Sequence, residues 1–250
     1  MGFVNLQTLP WSPEQGDDVI VRESARSRRL MVRVHDTAQV EVVVPVGTPL
    51  RLVQQFVAVH LDWIKSRVAR ARARARPAEA FPPPSVDLVA LGEQWQLDVV
   101  EQSGAARVRE RGEDRLELRG ANDPLGRRNA LRRWVIRRAQ AVLPPWLAEI
   151  ATLHGFRYEA AQVRLQRTRW GSCSSKGLIN LNAALLFQRP DVLRYLLVHE
   201  LCHTRHMNHS RQFWAAVAAC EPDYRQLDAQ LRHGWRNVPG WLRPQRKMPS

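Results

Sequence analysis

Residues 191–214, DVLRYLLVHELCHTRHMNHSRQFW, decide how the rest of the chain is read. The spacing of Val192, Leu193, Leu196 and Leu197 predicts an amphipathic helix over 191–207. Inside it, residues 199–203 read His-Glu-Leu-Cys-His, an H-E-x-x-H pattern. Positions i and i+4 lie on one helical face about a turn apart, so both imidazoles reach the same metal ion. Glu200, beside the first ligand, can bring its carboxylate to a metal-bound water without itself ligating. A zinc site of this kind needs a third protein ligand, and two histidines follow closely. His206 lies about 10 Å along the helix axis from His199, too far for one tetrahedral ion. His209 serves only if the helix ends first, and Asn208, which tolerates the left-handed conformation, is the expected terminator. The chain then doubles back and presents His209 from the turn before a helix over Arg211 to Cys220. Glu221 is a rival ligand, or a partner for an imidazole N–H.

Outward from this stretch, composition sets the class. The chain has 250 residues, 44% apolar and 25% charged, which excludes wholesale disorder and leaves enough length for one large domain or two small ones. No run approaches the roughly 18 apolar residues of a membrane helix. The start, MGFVNLQTLPWSP, carries neither the charged nor the apolar region of a secretory signal. Three cysteines, Cys173, Cys202 and Cys220, make no disulfide framework. A cytoplasmic protein with no membrane partner is the expectation. Thirty-eight Lys+Arg against 24 Asp+Glu give a net charge of +14, and only Lys65, Lys176 and Lys247 are lysines. Such a balance suits phosphate backbones, but it equally follows from base-composition bias in the genome.

Short strands are expected between Val19 and Val44, where Leu30, Val32 and Val34, then Val40, Val42 and Val44, alternate around a break at Asp36-Thr37. These form an amino-terminal β-meander, closed by Pro45 and Gly47. A long helix follows from Thr48-Pro49, with Leu52, Phe56, Val59 and Ile64 at helical spacing, running into RVARARARAR at 67–76. Residues 77–85, PAEAFPPPS, read as a stiff connector. The boundary is placed there: 1–77 for the meander and helix, 78–250 for the remainder. Strands are expected over 86–91, 94–100, 106–111 and 115–118. A long helix opens at Asp123-Pro124 and reaches about His154, kinked or divided at Pro144-Pro145. Six arginines between Arg127 and Arg138 form a second basic strip, read as a solvent face. Two further strands, 163–166 and 178–181, bracket the loop RWGSCSSKG, and 224–231 is helical. Strands followed by helices, without βαβ alternation, give an α+β class.

HELCHTRHMNHSRQFW, preceded by RWGSCSSKGLINLNAALL, resembles the YgjP-like zinc metallopeptidases, a SprT-like and WLM-related group. Asn208, His209, Ser210, Phe213 and Trp214 match the frame around that family's third histidine. Arg169, Trp170, Gly171, Ser172 and Cys173 match its second signature. The resemblance extends over about residues 21–233. It implies a minimal zincin-like core, a small mixed sheet packed on the H-E-x-x-H helix. It also implies zinc held by His199, His203 and His209, and a peptidase activity, with a nucleotide-hydrolysing role also proposed for the group.

The residues point to a hydrolase in which a zinc-held water attacks a peptide carbonyl and Glu200 takes its proton as general base. Tyr158, Tyr195, Tyr224, His233 and Arg169 are the candidates for supporting the oxyanion. The 170–174 loop either lines the cleft, with strand 178–181 pairing to an extended peptide, or anchors the core through Trp170 with Gly171 as a turn. Cys173 and Cys202 read as packing residues. Two other functions stand beside the protein or peptide substrate: a metal-dependent nucleotide phosphohydrolase, and a basic nucleic-acid-binding module with structural zinc. Nucleic-acid or nucleoprotein association would run through the Arg-rich strips.

Overall fold

Val40–Pro45 (β3) reads Val-Glu-Val-Val-Val-Pro, and its first five residues are all buried, which makes it the centre of the first sheet. Val19–Ser24 (β1) pairs with it in parallel and Met31–Val34 (β2) pairs antiparallel on its other side, in the order β1-β3-β2. The expected meander does not form, because it would put β2 in the middle. β2 alternates exposed and half-buried positions, whereas β3 is buried on both faces, as a central strand must be. The buried carboxylate of Glu41 within β3 accepts from Arg22 Nε of β1 at 2.8 Å.

The computed structural model describes residues 19–25, 27–34, 38–74 and 80–243, with the side chains of 72–74 left aside. The chain divides into two compact units, residues 1–78 and 79–250. In the first, the expected long helix is two helices, Leu50–Val59 (α1) and Leu61–Arg74 (α2), parted at His60, whose Nδ1 bonds the Phe56 carbonyl at 2.8 Å. Val53, Val57, Ile64 and Val68 join the β3 valines in the core of this unit. Leu52 and Val59, expected on the apolar stripe, are 45% and 81% exposed instead. The Asp36-Thr37 break, the arginines beyond Arg70 and the start of the 77–85 connector lie outside the described residues or side chains.

In the second unit Ser85–Leu88 (β4), Glu93–Glu101 (β5), Arg107–Arg111 (β6) and Arg115–Gly120 (β7) form a sheet in the order β4-β5-β7-β6, with β5 and β7 parallel. Pro124–His154 (α3) packs on it. Asp123 starts that helix by accepting from the Leu125 and Gly126 amides at 3.0 and 2.9 Å, and Gly155 ends it at φ 66°. The helix runs undivided through Pro144-Pro145. Leu143, Leu147 and Ile150, all buried around the prolines, hold it by packing where the ladder loses two amide donors.

The arginines of α3 are a solvent face only in part: Arg133 and Arg137 are exposed, and the other four are not. Arg127 is buried, donates to the Ala121 carbonyl at 3.1 Å and pairs with Glu101 at 3.3 Å. Arg132 donates to the carbonyls of Trp241 and Arg243, and Arg133 to that of Ala106. Arg138 pairs with Glu93, and Arg128 lies over the Phe81 ring at 5.1 Å. These guanidiniums tie strands and the chain's later segments onto the helix.

A second sheet, smaller and mixed, holds Ala160–Arg164 (β8), Gly171–Cys173 (β9) and Leu178–Asn182 (β10), ordered β8-β10-β9. β10 is parallel to β8 and antiparallel to β9. Pro190–Cys202 (α4), Arg211–Cys220 (α5) and Tyr224–His233 (α6) complete the unit. α4 packs against α3, α5, α6 and β9, so it is buried on nearly every side rather than along one stripe. The class is α+β, with small mixed sheets. Among the described residues no helix is long and apolar enough to cross a membrane.

Replacing Arg132 with alanine leaves two carbonyls of the 241–243 segment unpaired. The expected result is a stability loss of about 1–3 kcal/mol in urea unfolding, with faster amide exchange around Trp241.

Candidate metal centre

α4 stops at Cys202, and His203 is its cap. Thr204 is the reason that the helix ends short of the expected residue 207. Its hydroxyl donates to the Leu201 carbonyl at 2.7 Å, and the next amides form tighter bonds, Thr204 N to Leu201 O and Arg205 N to Cys202 O. Asn208 plays no left-handed part; Ala38 is the only non-glycine residue with positive φ among those described. After this turn Ser210 caps α5, its Oγ accepting from the Phe213 amide. His209, just ahead of the cap, is thereby returned to the face of α4.

One donor nitrogen each from His199, His203 and His209 lie within 4.8 Å of one another, and no fourth His, Cys, Asp or Glu among the described residues joins them. His199 Nε2 and His209 Nε2 are 3.2 Å apart. Phe213 and Trp214 of α5 wall the cluster, their rings 4.9 and 5.9 Å from that of His199. His203 Nδ1 donates to the His206 carbonyl at 3.0 Å, which leaves Nε2 for the cluster. His206 therefore contributes its backbone and not its ring. Glu221 is also outside the group and pairs with Arg194 at 2.5 Å.

Burial, then the neighbouring His203 and His209, push the His199 imidazole down to about 3. Burial lowers His203 as well. These rings are held neutral with free lone pairs, the form a metal ion requires. Glu200 is buried, and its Oε2 has no hydrogen-bond partner. Burial pushes its carboxyl up to about 8. Three converging imidazole nitrogens beside an unpartnered buried carboxyl oxygen fit a divalent transition metal such as zinc.

Gly171 is a strand residue, not a turn. A Cβ built on it would stand 2.5 Å from Glu200 Oε1 and 2.9 Å from its Cγ, so β9 can lie against the carboxylate only where a side chain is missing. Asn182 sets the approach to β9: its Nδ2 donates to the carbonyls of Gln166 and Arg169 at 3.0 and 2.6 Å, and its amide to that of Trp170 at 2.8 Å. Trp170 stacks on Trp235 at 4.2 Å. Because β10 is central, it has no free edge for a peptide; the edge strand beside Glu200 is β9. Cys173, within β9, is half-buried with its thiol pushed up to about 11 by burial and then by Glu200. Cys202 is fully buried and pushed up to about 12.

Tyr195 is not available to a substrate oxygen. It is fully buried, its hydroxyl donates to Asp228 Oδ1 at 3.1 Å, and the same oxygen lies 3.4 Å from His199 Nδ1. Its spacing of four from His199 signals this contact in the sequence; nothing local marks Asp228, 33 residues on. Tyr224 stacks on Trp214, Tyr158 packs on the core, and Arg169 and His233 are exposed, with none of them bonded to the three histidines.

Alanine at Gly171 forces β9 or the Glu200 carboxylate to move. The expected cost is about 1–3 kcal/mol in denaturant unfolding, as for other overpacked sites.

A family model described as "YgjP-like, metallopeptidase domain" matches residues 28–234. No curated protein matches the chain. Among solved structures, the metallopeptidase zymogen abylysin of Pyrococcus abyssi is 24% identical, covering 36% of this chain and 90% of that one, at a TM-score of 0.32. A likeness at that score carries no argument about the fold.

Proposed function

The chain belongs to the YgjP-like metallopeptidase family, and on that premise we propose that it is a zinc-dependent peptidase whose metal is held by His199, His203 and His209, with Glu200 as general base. The observation that carries the reading is the convergence of three imidazole donors within 4.8 Å beside a buried carboxylate oxygen that has no partner. Zinc so held supplies Lewis acidity, polarising a peptide carbonyl and making water acidic enough to lose a proton near neutral pH.

The chain's own residues do the rest. Glu200 Oε2 takes the proton of the attacking water and delivers it to the leaving nitrogen. Its raised proton affinity, a result of burial, suits the first half of the exchange, and the leaving nitrogen, a stronger base still, takes the proton in the second. Gly171 keeps the carboxylate in place by leaving it no other room on the β9 side. β9 pairs with β10 along one edge only, and an extended substrate laid along the other edge passes beside Glu200. Three protein donors leave the metal an open position, which favours catalysis over a closed structural site. Three free thiols accord with a reducing, cytoplasmic setting.

Metal content is the direct test. The wild-type chain, purified without added metal, is expected to carry about one zinc per chain, and His209→Ala much less. Full retention in His209→Ala overturns this ligand set. Glu200→Gln is expected to keep its zinc and lose about 10²–10⁴-fold in peptide hydrolysis, measured on an unstructured protein substrate. Undiminished hydrolysis in that variant removes Glu200 from the mechanism.

A further inference from the structure

His199 and His203 are held in different ways, and the difference has a chemical consequence. His203 Nδ1 meets a backbone carbonyl, which only accepts, so the proton sits on Nδ1 and Nε2 keeps its lone pair. His199 Nδ1 meets the Tyr195 hydroxyl, which can donate or accept. Were that hydroxyl to donate, the imidazole proton would move to Nε2, the atom 3.2 Å from His209 Nε2, and the lone pair would be lost from the cluster.

The choice is made one bond further out. The hydroxyl has a single proton, and Asp228 Oδ1, 3.1 Å away on α6, is a carboxylate that only accepts. Arg232, one turn along α6, donates to the other carboxylate oxygen, Oδ2, at 2.5 Å, so both oxygens of Asp228 are engaged as acceptors. With its proton given to Asp228, the Tyr195 oxygen can only accept, so His199 must bear its proton on Nδ1.

We propose that Asp228, acting through Tyr195, fixes the tautomer of His199 and so presents Nε2 as a metal donor. Asp228 and Tyr195 are positioning residues, since neither reaches the cluster. The inference rests on the metal-site reading for its purpose, but the tautomer itself is a property of the metal-free chain and is measured there.

The experiment combines two readouts on the full-length chain: ¹⁵N NMR of the His199 ring without metal, and zinc affinity by competition with a chelator. Wild type is expected to show a protonated Nδ1 and an unprotonated Nε2. In Asp228→Ala the Tyr195 proton turns to His199, the ring signals invert, and zinc affinity falls about 10–100-fold, the usual loss for a ligand's outer partner. Tyr195→Phe also weakens zinc binding. Adding Asp228→Ala to it lowers affinity no further, because the carboxylate acts only through the hydroxyl. A merely structural role predicts independent, additive losses instead. An unchanged His199 tautomer in Asp228→Ala, or additive losses in the double variant, overturns the proposal. A wild-type chain that binds no zinc overturns the metal-site reading instead, and the ring signals still decide the tautomer.

Discussion

Everything around the site depends on one constraint: the helix that carries the ionisable motif is buried on nearly all sides. Val192, Leu193, Leu196, Leu197, Val198 and Leu201 make α4 the axis of the second unit's core, with α3, α5, α6 and β9 around it. Placing His199 and Glu200 on such a helix takes polar groups out of water, which is costly unless each finds a partner or a ligand. Burial answers in part by removing charge, drawing His199 down to about 3 and Glu200 up to about 8. The remaining demand falls on geometry. Tyr195 meets His199 and the His206 carbonyl meets His203, whereas Glu200 Oε2, between the two, is left without a partner. A buried carboxyl oxygen left open beside converging imidazoles calls for a functional explanation.

The same constraint explains the shape of β9. A strand laid against a buried carboxylate cannot carry a side chain at the point of contact, so Gly171 stands there. Glycine weakens strands, and this one is three residues long. It is held from outside by Asn182, which gathers the carbonyls of Gln166 and Arg169, and by the Trp170–Trp235 stack. Gly234 plays a matching part: a Cβ on it would meet Gln188 Oε1 at 2.5 Å and the Trp170 ring at 3.0 Å. Two glycines, one at the carboxylate and one behind the tryptophan, let the segment lie close on both sides.

What could be read in the sequence was local. Helical spacing places His199 and His203 on one face, and the requirement for a third ligand points to His209. The start of α3 at Asp123-Pro124 is legible from capping chemistry alone. What failed was non-local. Strand order in the first sheet depends on which strand is buried on both faces, a property of pairing that the alternation of Leu30, Val32 and Val34 does not contain. β9 escaped because Gly-Ser-Cys has no strand propensity. The helix end was misplaced because a threonine side chain competing for a carbonyl outweighs the tolerance of Asn208 for a turn. Asp228 could not be connected to His199, since it lies on another helix, α6, and reaches the ring only through the Tyr195 hydroxyl.

The basic charge separates into parts once the partners of each arginine are known. In α3 and beyond, five guanidiniums bond backbone carbonyls, Arg127 on Ala121, Arg133 on Ala106, Arg132 on Trp241 and Arg243, Arg205 on Gly155, Arg243 on Trp235, while Arg138, Arg189, Arg194 and Arg232 pair with acids. A carbonyl accepts a hydrogen bond without cancelling charge, so a chain stitched this way accumulates positive charge with no acid to match it. The planar fork with five donors can reach two carbonyls at once, as Arg132 does, where a lysine ammonium is a single compact centre. Part of the Arg excess over Lys is therefore structural. α2 is different: Arg67 lies 5.6 Å over the Trp63 ring, and among the described residues Lys65 and Arg70 have no ion-pair partner. Net charge by itself mixes these two populations, and that is why +14 says little about what the protein binds.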